Sequence, residues 1–265
     1  MLVKGYDVGF LKKTVYSTLD RFTEKYADKF IVVSNALRDK LINNHSIPQQ
    51  KVITIYNGIE LNEYQTQAFT QSARKIRREF GIKNEECIIG AIGRMVWQKG
   101  FEYFIQSIPK MISSIPKVKI VLVGDGPLMK DLDSLCLRLG VRDKVIFTGF
   151  RSDIREILSS IDLLVIPSLV EGFPMITLEA MAMAKPVIAT NIDGISEQIR
   201  DGKTGILVPA KDSDFLARAT VSVFNDRETA RRIGSAAKKE VEKKYSVEKM
   251  VRETEKVYWS LIRDN

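Results

Sequence analysis

The sequence predicts an α/β fold in which a doubly wound parallel sheet is joined to part of a second α/β domain. Three observations support this prediction. Short apolar runs alternate with helical segments between residues 87 and 210. The runs are apolar at successive positions, as in parallel strands that helices cover on both faces. The first 65 residues hold only two further strands, which is few for a complete sheet.

The first 65 residues contain two predicted helices and two predicted strands. They are a helix over 11–27, a strand over 28–34, a helix over 35–45 and a strand over 51–56. The second strand ends in Asn57-Gly58, a turn signal. Because these strands need partners that this segment does not contain, we interpret 1–65 as the remnant of a larger amino-terminal domain.

Residues 66–245 form the main predicted domain. Its strands are predicted at 87–93, 117–127 (running into a Gly-rich turn), 144–150, 162–168, 186–190 and 206–209. Helices are predicted at 101–112, 128–140, 152–160, 174–184 and 194–200. Beyond residue 212 only helices are predicted. The last of them, 246–265, is amphipathic, and we expect it to pack back toward the first domain.

The net charge of +8, from 41 Lys and Arg against 33 Asp and Glu, favours anionic partners. Basic residues cluster at 74–80 and 231–245, where solvated helix faces are the simpler interpretation. Aromatic residues do not alternate with them, as single-stranded nucleic-acid surfaces usually require. We therefore expect no nucleic-acid partner, and at most a peripheral contact with an anionic membrane.

The cysteines and the first residues indicate a cytoplasmic protein, peripheral to the inner face of a membrane at most. Cys87 and Cys136 are far apart and have neither a CxxC pattern nor a nearby histidine. They are predicted to be buried free thiols in a reducing compartment. Charges within the first twenty residues leave no apolar stretch for a signal peptide.

The first strand of the main domain ends in GRMVWQKG, residues 93–100. Arg94 and Lys99 follow the carboxyl end of that strand, and Gly93 and Gly100 let the backbone approach a ligand closely. Two cations there could neutralise a diphosphate, the arginine through paired hydrogen bonds and the lysine as a point charge. The alternative is that both are solvated loop residues.

The second strand ends in Gly124-Asp125-Gly126-Pro127. This turn is similar to a dinucleotide fingerprint, but Met129 stands where the third glycine is expected and no acid follows at the ribose position. We interpret it as a tight turn at Gly124 that leaves room for a nucleotide. An oxidoreductase that uses NAD is accordingly disfavoured.

Two glutamates, Glu171 and Glu179, flank a Gly-Phe-Pro break at the start of a predicted helix. Pro174 suits the first helical turn, so the amides near Gly172 and Phe173 can face an anion. The carboxylates lie at different heights and could bind two hydroxyl-bearing groups, such as the hexose and the ribose of a nucleotide sugar. Alternatively, both are ordinary surface charges.

These motifs together resemble the group-1, or family 4, glycosyltransferases, whose GT-B architecture has two Rossmann-like domains. The resemblance covers nearly the whole sequence in the family's order. The matching segments are ADKFIVVSNALRDKL, VITIYNGIELNEY, IGRMVWQKGFEYFIQSI, IVLVGDGPL, VIFTGF, SLVEGFPMITLEAMAMAKPVIAT, GISEQI and DGKTGILVP.

The resemblance implies a role for each matching residue. Arg94 and Lys99 would bind the donor diphosphate and stabilise it as it leaves. Glu171 would accept hydrogen bonds from hydroxyls of the donor sugar, and Glu179 would accept them from the ribose hydroxyls. The remaining donor-binding positions are the backbone at Gly93, Gly124, Gly172, Phe173 and Pro174, and, near the base, Gly149, Phe150 and Arg151. The family transfers sugars with retention, without a cofactor or a metal ion.

The sequence departs from the family at its start. The first strands of the acceptor-side domain, with their Gly-rich loop, are absent. Lys4 stands where the family commonly has a histidine, and His45, the single histidine, is predicted to lie at the surface. We expect a retaining enzyme that transfers a hexose-type sugar from a nucleotide sugar to a glycan or lipid-linked acceptor, with a separate chain as a candidate acceptor half. The alternatives are a non-catalytic nucleotide-sugar binder and a GT-B-type epimerase.

Overall fold

The computed structural model describes residue 19, residues 23–65 and residues 69–263. Most of the helix predicted over 11–27 lies outside these residues, and so does Lys4. The described end of that segment forms a short 3-10 helix at Glu24–Tyr26.

The amino-terminal unit consists of β1 (Phe30–Val32), α1 (Asn35–His45) and β2 (Val52–Thr54), and its two strands pair in parallel. β1 is shorter than predicted because the chain turns into α1 at Ser34. The Ser34 hydroxyl accepts a hydrogen bond of 3.2 Å from Leu37 N, which is the contact of a helix N-cap.

A six-stranded parallel sheet forms the centre of the remaining chain. Its strands are β3 (Cys87–Ile92), β4 (Val118–Val123), β5 (Val145–Phe147), β6 (Leu163–Ile166), β7 (Val187–Thr190) and β8 (Ile206–Val208). Their order across the sheet is β5-β4-β3-β6-β7-β8. From β3 to β5 each strand is added on one side of the sheet. The chain then returns to the middle, and from β6 to β8 each strand is added on the other side, which is the order of doubly wound Rossmann-like domains. The predicted fold class is confirmed.

Helices cover both faces of this sheet. They are α2 (Thr70–Glu79), α3 (Phe101–Ser114), α4 (Met129–Arg138), α5 (Ile154–Ser160), α6 (Met175–Ala182), α7 (Ile195–Gln198), α8 (Ser213–Asn225), α9 (Arg227–Lys244) and α10 (Val247–Arg263). One core contains side chains of α2, α5, α6 and α9, and the other contains side chains of α3, α4 and α8. No helix among the described residues is long and apolar enough to cross a membrane.

Strand β4 explains why the strands are almost entirely apolar. Val121 and Val123 belong to one core, whereas Ile120 and Leu122 belong to the other. Because successive side chains of a strand point to opposite faces, a sheet covered on both sides needs apolar residues on both. Lys119 is the one charged residue of this strand.

The prediction that His45 lies at the surface is wrong. Only 8% of its side chain is exposed, and its Nδ1 lies 2.7 Å from Glu24 Oε1. The polar end of α1 suggested exposure, but the preceding segment folds back over that end and covers the imidazole ring. Cys136 is buried as predicted, whereas Cys87 is only half-buried.

Candidate active site

The candidate site lies where the direction of winding reverses, between β3 and β6. These strands are neighbours, with Ile89 opposite Leu163, and the loops that follow them leave on different sides of the sheet. The loop after β6 is tied to the loop after β3 by a hydrogen bond of 2.7 Å from Leu169 N to Gln98 O. The predicted loop 93–100 and the segment that carries Glu171 therefore border one crevice.

Lys99 and Glu171 meet in this crevice. The Lys99 Nζ lies 2.6 Å from Glu171 Oε1, and the Ser168 hydroxyl donates a hydrogen bond of 2.8 Å to the same oxygen. The Glu171 side chain is 11% exposed and that of Lys99 is 27% exposed. Among the described residues, none donates a hydrogen bond to Glu171 Oε2. One carboxylate oxygen is thus fixed in place, and the other can accept a hydroxyl.

Three predicted glycines meet through their backbones beside this pair. Gly124 N donates to Gly149 O at 2.9 Å, which joins the ends of β4 and β5. A Cβ atom at Gly124 would lie 2.1 Å from Gly93 O, so only glycine fits there. The structure therefore brings Gly93, Gly124 and Gly149 together at the carboxyl edge of the sheet.

Arg94 is exposed at the same edge. Within the described part of the chain, its side chain forms no hydrogen bond or ion pair. The Arg94 side chain therefore does not stabilise the fold through a hydrogen bond or an ion pair. Its guanidinium group can turn toward an anion in the crevice.

The segment Gly172-Phe173-Pro174 leads from Glu171 into α6. The Phe173 ring is buried, stacked on Tyr56 at 5.0 Å and edge-on to Tyr245 at 5.5 Å. Pro174 is the N-cap of α6, one position before the predicted place in the first turn. Its carbonyl accepts a hydrogen bond of 3.0 Å from Gln198 Nε2.

Glu179 lies further along α6 and contacts the segment that follows β2. Its pKa is raised because burial disfavours the charged form, although a hydrogen bond from Tyr64 and the charge of Arg155 act the other way. Burial and the nearby Glu179 raise the pKa of Tyr64 to about 12. The two carboxylates of the motif thus have separate surroundings, as two separate binding roles require.

Arg151 is largely occupied by the fold. Its Nη2 lies 2.6 Å from Asp153 Oδ2, it pairs with Glu79 of α2, and its guanidinium carbon lies 5.6 Å from the centre of the Phe80 ring. Phe150, in contrast, is 76% exposed. Of the two side chains predicted near the base, only Phe150 is open to a ligand.

Two residues at the site were missed by the sequence analysis. Ser168 is buried directly after β6, and a hydroxyl at the end of an apolar strand is a signal that could have identified it. Tyr64 reaches Glu179 only because the chain after β2 folds over α6, and no local pattern indicates this contact.

The strand order, with the reversal of winding between β3 and β6, defines a Rossmann-like α/β protein. The chain belongs to the group 1 glycosyl transferases, whose family model matches residues 72–240. A second model, glycosyltransferase family 4, matches residues 5–63.

Two curated relatives illustrate the similarity. The chain is 36% identical over 230 residues to an uncharacterized glycosyltransferase of Methanocaldococcus jannaschii, covering 86% of this chain and 59% of that protein. It is 30% identical over 251 residues to the N-acetyl-alpha-D-glucosaminyl L-malate synthase of Bacillus anthracis, covering 94% of this chain and 64% of that protein. The chain thus spans about three fifths of the length of these relatives.

A solved structure agrees over most of the chain. Anabaena HepE in complex with UDP and glucose superposes with a TM-score of 0.86 at 26% identity. The superposition covers 93% of this chain and 67% of HepE. HepE has also been solved in complex with UDP-glucose.

Proposed function

We propose that this chain binds the donor of a retaining glycosyltransferase. The donor is a nucleoside diphosphate sugar, and a hexose-type sugar passes to a glycan or lipid-linked acceptor. The observation that carries the proposal is the Lys99–Glu171 contact of 2.6 Å at the crevice between β3 and β6. A cation and a carboxylate in contact at this crevice support the binding of a diphosphate together with the sugar attached to it.

The ion pair gives each residue a task in this proposal. A diphosphate attracts Lys99 away from Glu171, and Arg94, which has no partner among the described residues, joins it. Glu171, which still accepts the hydrogen bond from Ser168, then accepts hydrogen bonds from two hydroxyls of the sugar. The two cations stabilise the negative charge that grows on the leaving diphosphate. No metal ion or cofactor is required.

Retention and a membrane contact are two further parts of the proposal, and each has its own test. Retention rests on family membership and is checked by NMR, which distinguishes the anomers of the first product. The net charge of +8 favours an acceptor at an anionic membrane surface on the cytoplasmic side. Co-sedimentation with anionic and neutral vesicles tests that contact separately.

UDP is the first nucleotide to test because HepE was solved with it. Calorimetric titration compares UDP, GDP and ADP, then their hexose conjugates and NAD. We expect one nucleoside diphosphate to bind selectively and one conjugate to bind more tightly. Arg94→Ala should weaken diphosphate binding by about 1.5–3 kcal/mol, the value of a charge-assisted hydrogen bond.

A matched control is Arg138→Ala, since Arg138 is also exposed and unpartnered among the described residues but lies at the end of α4. This control should bind like the parent chain. If folded protein bound none of the nucleotides, or if both variants weakened binding equally, the donor-site proposal would be abandoned.

A further inference from the structure

A cavity lies at the opposite edge of the sheet from the candidate active site. Its volume is about 900 Å³, and it is bordered by the residues that precede β3, β6 and β7. Because β3 has six residues, roughly 20 Å of strand separates this edge from the loop that carries Arg94 and Lys99. The cavity is thus separate from the donor crevice.

Four cationic side chains border this cavity and form no ion pair with any described carboxylate. They are Lys117 before β4, Lys185 before β7, and Arg227 and Arg231 in the first turns of α9. They come from three separate segments of the chain, so their convergence is a property of the fold. Four unpaired cations at one concave surface attract anions and raise their local concentration.

The carboxylates of the cavity are fewer than its cations. Asp162 lies 3.7 Å from Arg77 Nη1, a fifth cation of the lining. With Glu85 and Glu86, the described lining thus has three carboxylates against five cations, so positive charge predominates.

Lys185 strengthens the case because its ammonium group is partly desolvated. It donates hydrogen bonds of 2.8 Å to Ser159 O and 2.7 Å to Ile161 O, which leaves one of its three N–H groups for another acceptor. Burial lowers its pKa to about 8. The charge of Asp162 acts the other way but does not outweigh the burial. An anion bound beside Lys185 would therefore recover part of the cost of desolvating its charge.

Apolar side chains form part of the inner surface of the cavity, which is too large for a small inorganic ion alone. The apolar side chains that line it are Ile115, Leu163, Met183, Val223 and Phe224. Its volume lies within the usual range for small-molecule sites, roughly 300–1,000 Å³. Arginines bind phosphate oxygens through paired hydrogen bonds, and the apolar surface suits a ring or chain attached to the phosphate.

We propose that this cavity binds an organic phosphate monoester, with its phosphate at Arg227 and Arg231 and its organic part against the apolar surface. The site is independent of the donor crevice, so its test does not use sugar transfer. Phenyl phosphate and inorganic phosphate serve as probes, and binding to the full chain is followed by ligand-observed NMR in the presence of UDP. Phenyl phosphate should bind saturably and more tightly than inorganic phosphate.

Arg227→Gln/Arg231→Gln should weaken phenyl phosphate binding at least about tenfold, the effect of losing one charge-assisted hydrogen bond. The matched control is Lys239→Gln/Lys243→Gln, which removes two exposed charges from the same helix outside the cavity. Lys117→Gln changes a different segment and should also weaken binding. Circular dichroism and thermal melts confirm that each variant is folded.

Three results would overturn the proposal. The first is no saturable binding of phenyl phosphate up to about 10 mM, which is weaker than ordinary ligand affinities. The second is equal weakening by the two double variants, which would mean a response to net charge only. The third is equal affinity for the two probes, since the apolar surface would then contribute nothing.

Discussion

At the scale of single residues, the Lys99–Glu171 ion pair dominates the candidate site. Its two charges lie 2.6 Å apart. Under the proposed function they part when a donor enters, because the diphosphate replaces the partner of Lys99 and the sugar hydroxyls replace the partner of Glu171.

Glu171→Gln should separate the two roles. We expect the affinity for bare UDP to stay equal or to rise up to about fivefold. In the variant Lys99 can bind the diphosphate without first breaking its ion pair with Glu171, and a partly exposed ion pair contributes about 1 kcal/mol. The additional affinity given by the sugar should fall, since an amide accepts fewer hydroxyl hydrogen bonds than a carboxylate. Calorimetry with UDP and its hexose conjugate measures both effects.

Glu255→Gln is the control, because Glu255 is an exposed carboxylate on α10 without a partner among the described residues. It should change neither affinity. If Glu171→Gln weakened bare UDP as much as the conjugate, Glu171 would not be a sugar-specific residue.

The two thiols give a second prediction at this scale. Burial raises the pKa of both Cys87 and Cys136 to about 11, from an ordinary value of 9.0. Because only the thiolate reacts, two pKa units lower the reactive fraction about a hundredfold at pH 8. Iodoacetamide should therefore modify the native chain at least that much more slowly than the urea-unfolded chain, as measured by mass spectrometry. Equal rates would show that burial does not protect the thiols.

At the scale of secondary-structure elements, Gly100 joins the two halves of the sheet. It has a φ of +61° and precedes α3, and a Cβ atom there would lie 2.1 Å from Pro167 O at the end of β6. The tight approach of these elements sets the width of the crevice that holds Lys99 and Glu171.

Gly100→Ala should destabilise the chain by about 2–4 kcal/mol, the sum of a left-handed backbone penalty and a steric clash. Gly81→Ala is a matched control, because Gly81 has a φ of +64° but nothing within 4 Å of its Cβ position. It should cost only the backbone penalty, about 1–2 kcal/mol. Urea unfolding of both variants measures the difference, and equal losses would contradict the packing argument.

At the scale of the whole molecule, Glu197 of α7 connects the amino-terminal unit to the main sheet. Its carboxylate accepts hydrogen bonds of 2.9 Å from Asn35 N and from Ala36 N at the start of α1, and another of 2.9 Å from Tyr56. A carboxylate at a helix N-terminus satisfies free amides and the helix dipole. One side chain thus fixes the start of α1 beside α7.

We expect the amides of the described amino-terminal unit to exchange faster than those of the six-stranded sheet, because only two strands pair there. Glu197→Ala should accelerate exchange further at the first turn of α1 and leave β3 and β4 unchanged. Glu255→Ala, which touches neither unit among the described residues, should leave the pattern as it is. Uniform protection of the parent chain in hydrogen-exchange mass spectrometry would contradict this view.

The strands and the loop motifs could be predicted from local patterns. Five of the six residues of β4 are apolar, Lys119 being the exception, and the glycines at 93 and 124 follow strand ends directly. Both the fold class and the crevice were therefore accessible from the sequence. The division into 1–65, 66–245 and 246–265 stays a prediction. The burial of His45 and the occupation of Arg151 by Glu79 were not accessible, because they depend on segments far apart in the chain.

The sequence by itself determined the doubly wound parallel sheet, the edge at which its loops converge and the residue types placed there. Those properties follow from hydrophobic periodicity and from the short connections between neighbouring strands. Only the tertiary structure decided that Lys99 pairs with Glu171, that Tyr64 meets Glu179, and that cations from three separate segments line one cavity. Such contacts join residues separated by tens of positions, and their geometry is set by packing between elements, which no local pattern encodes.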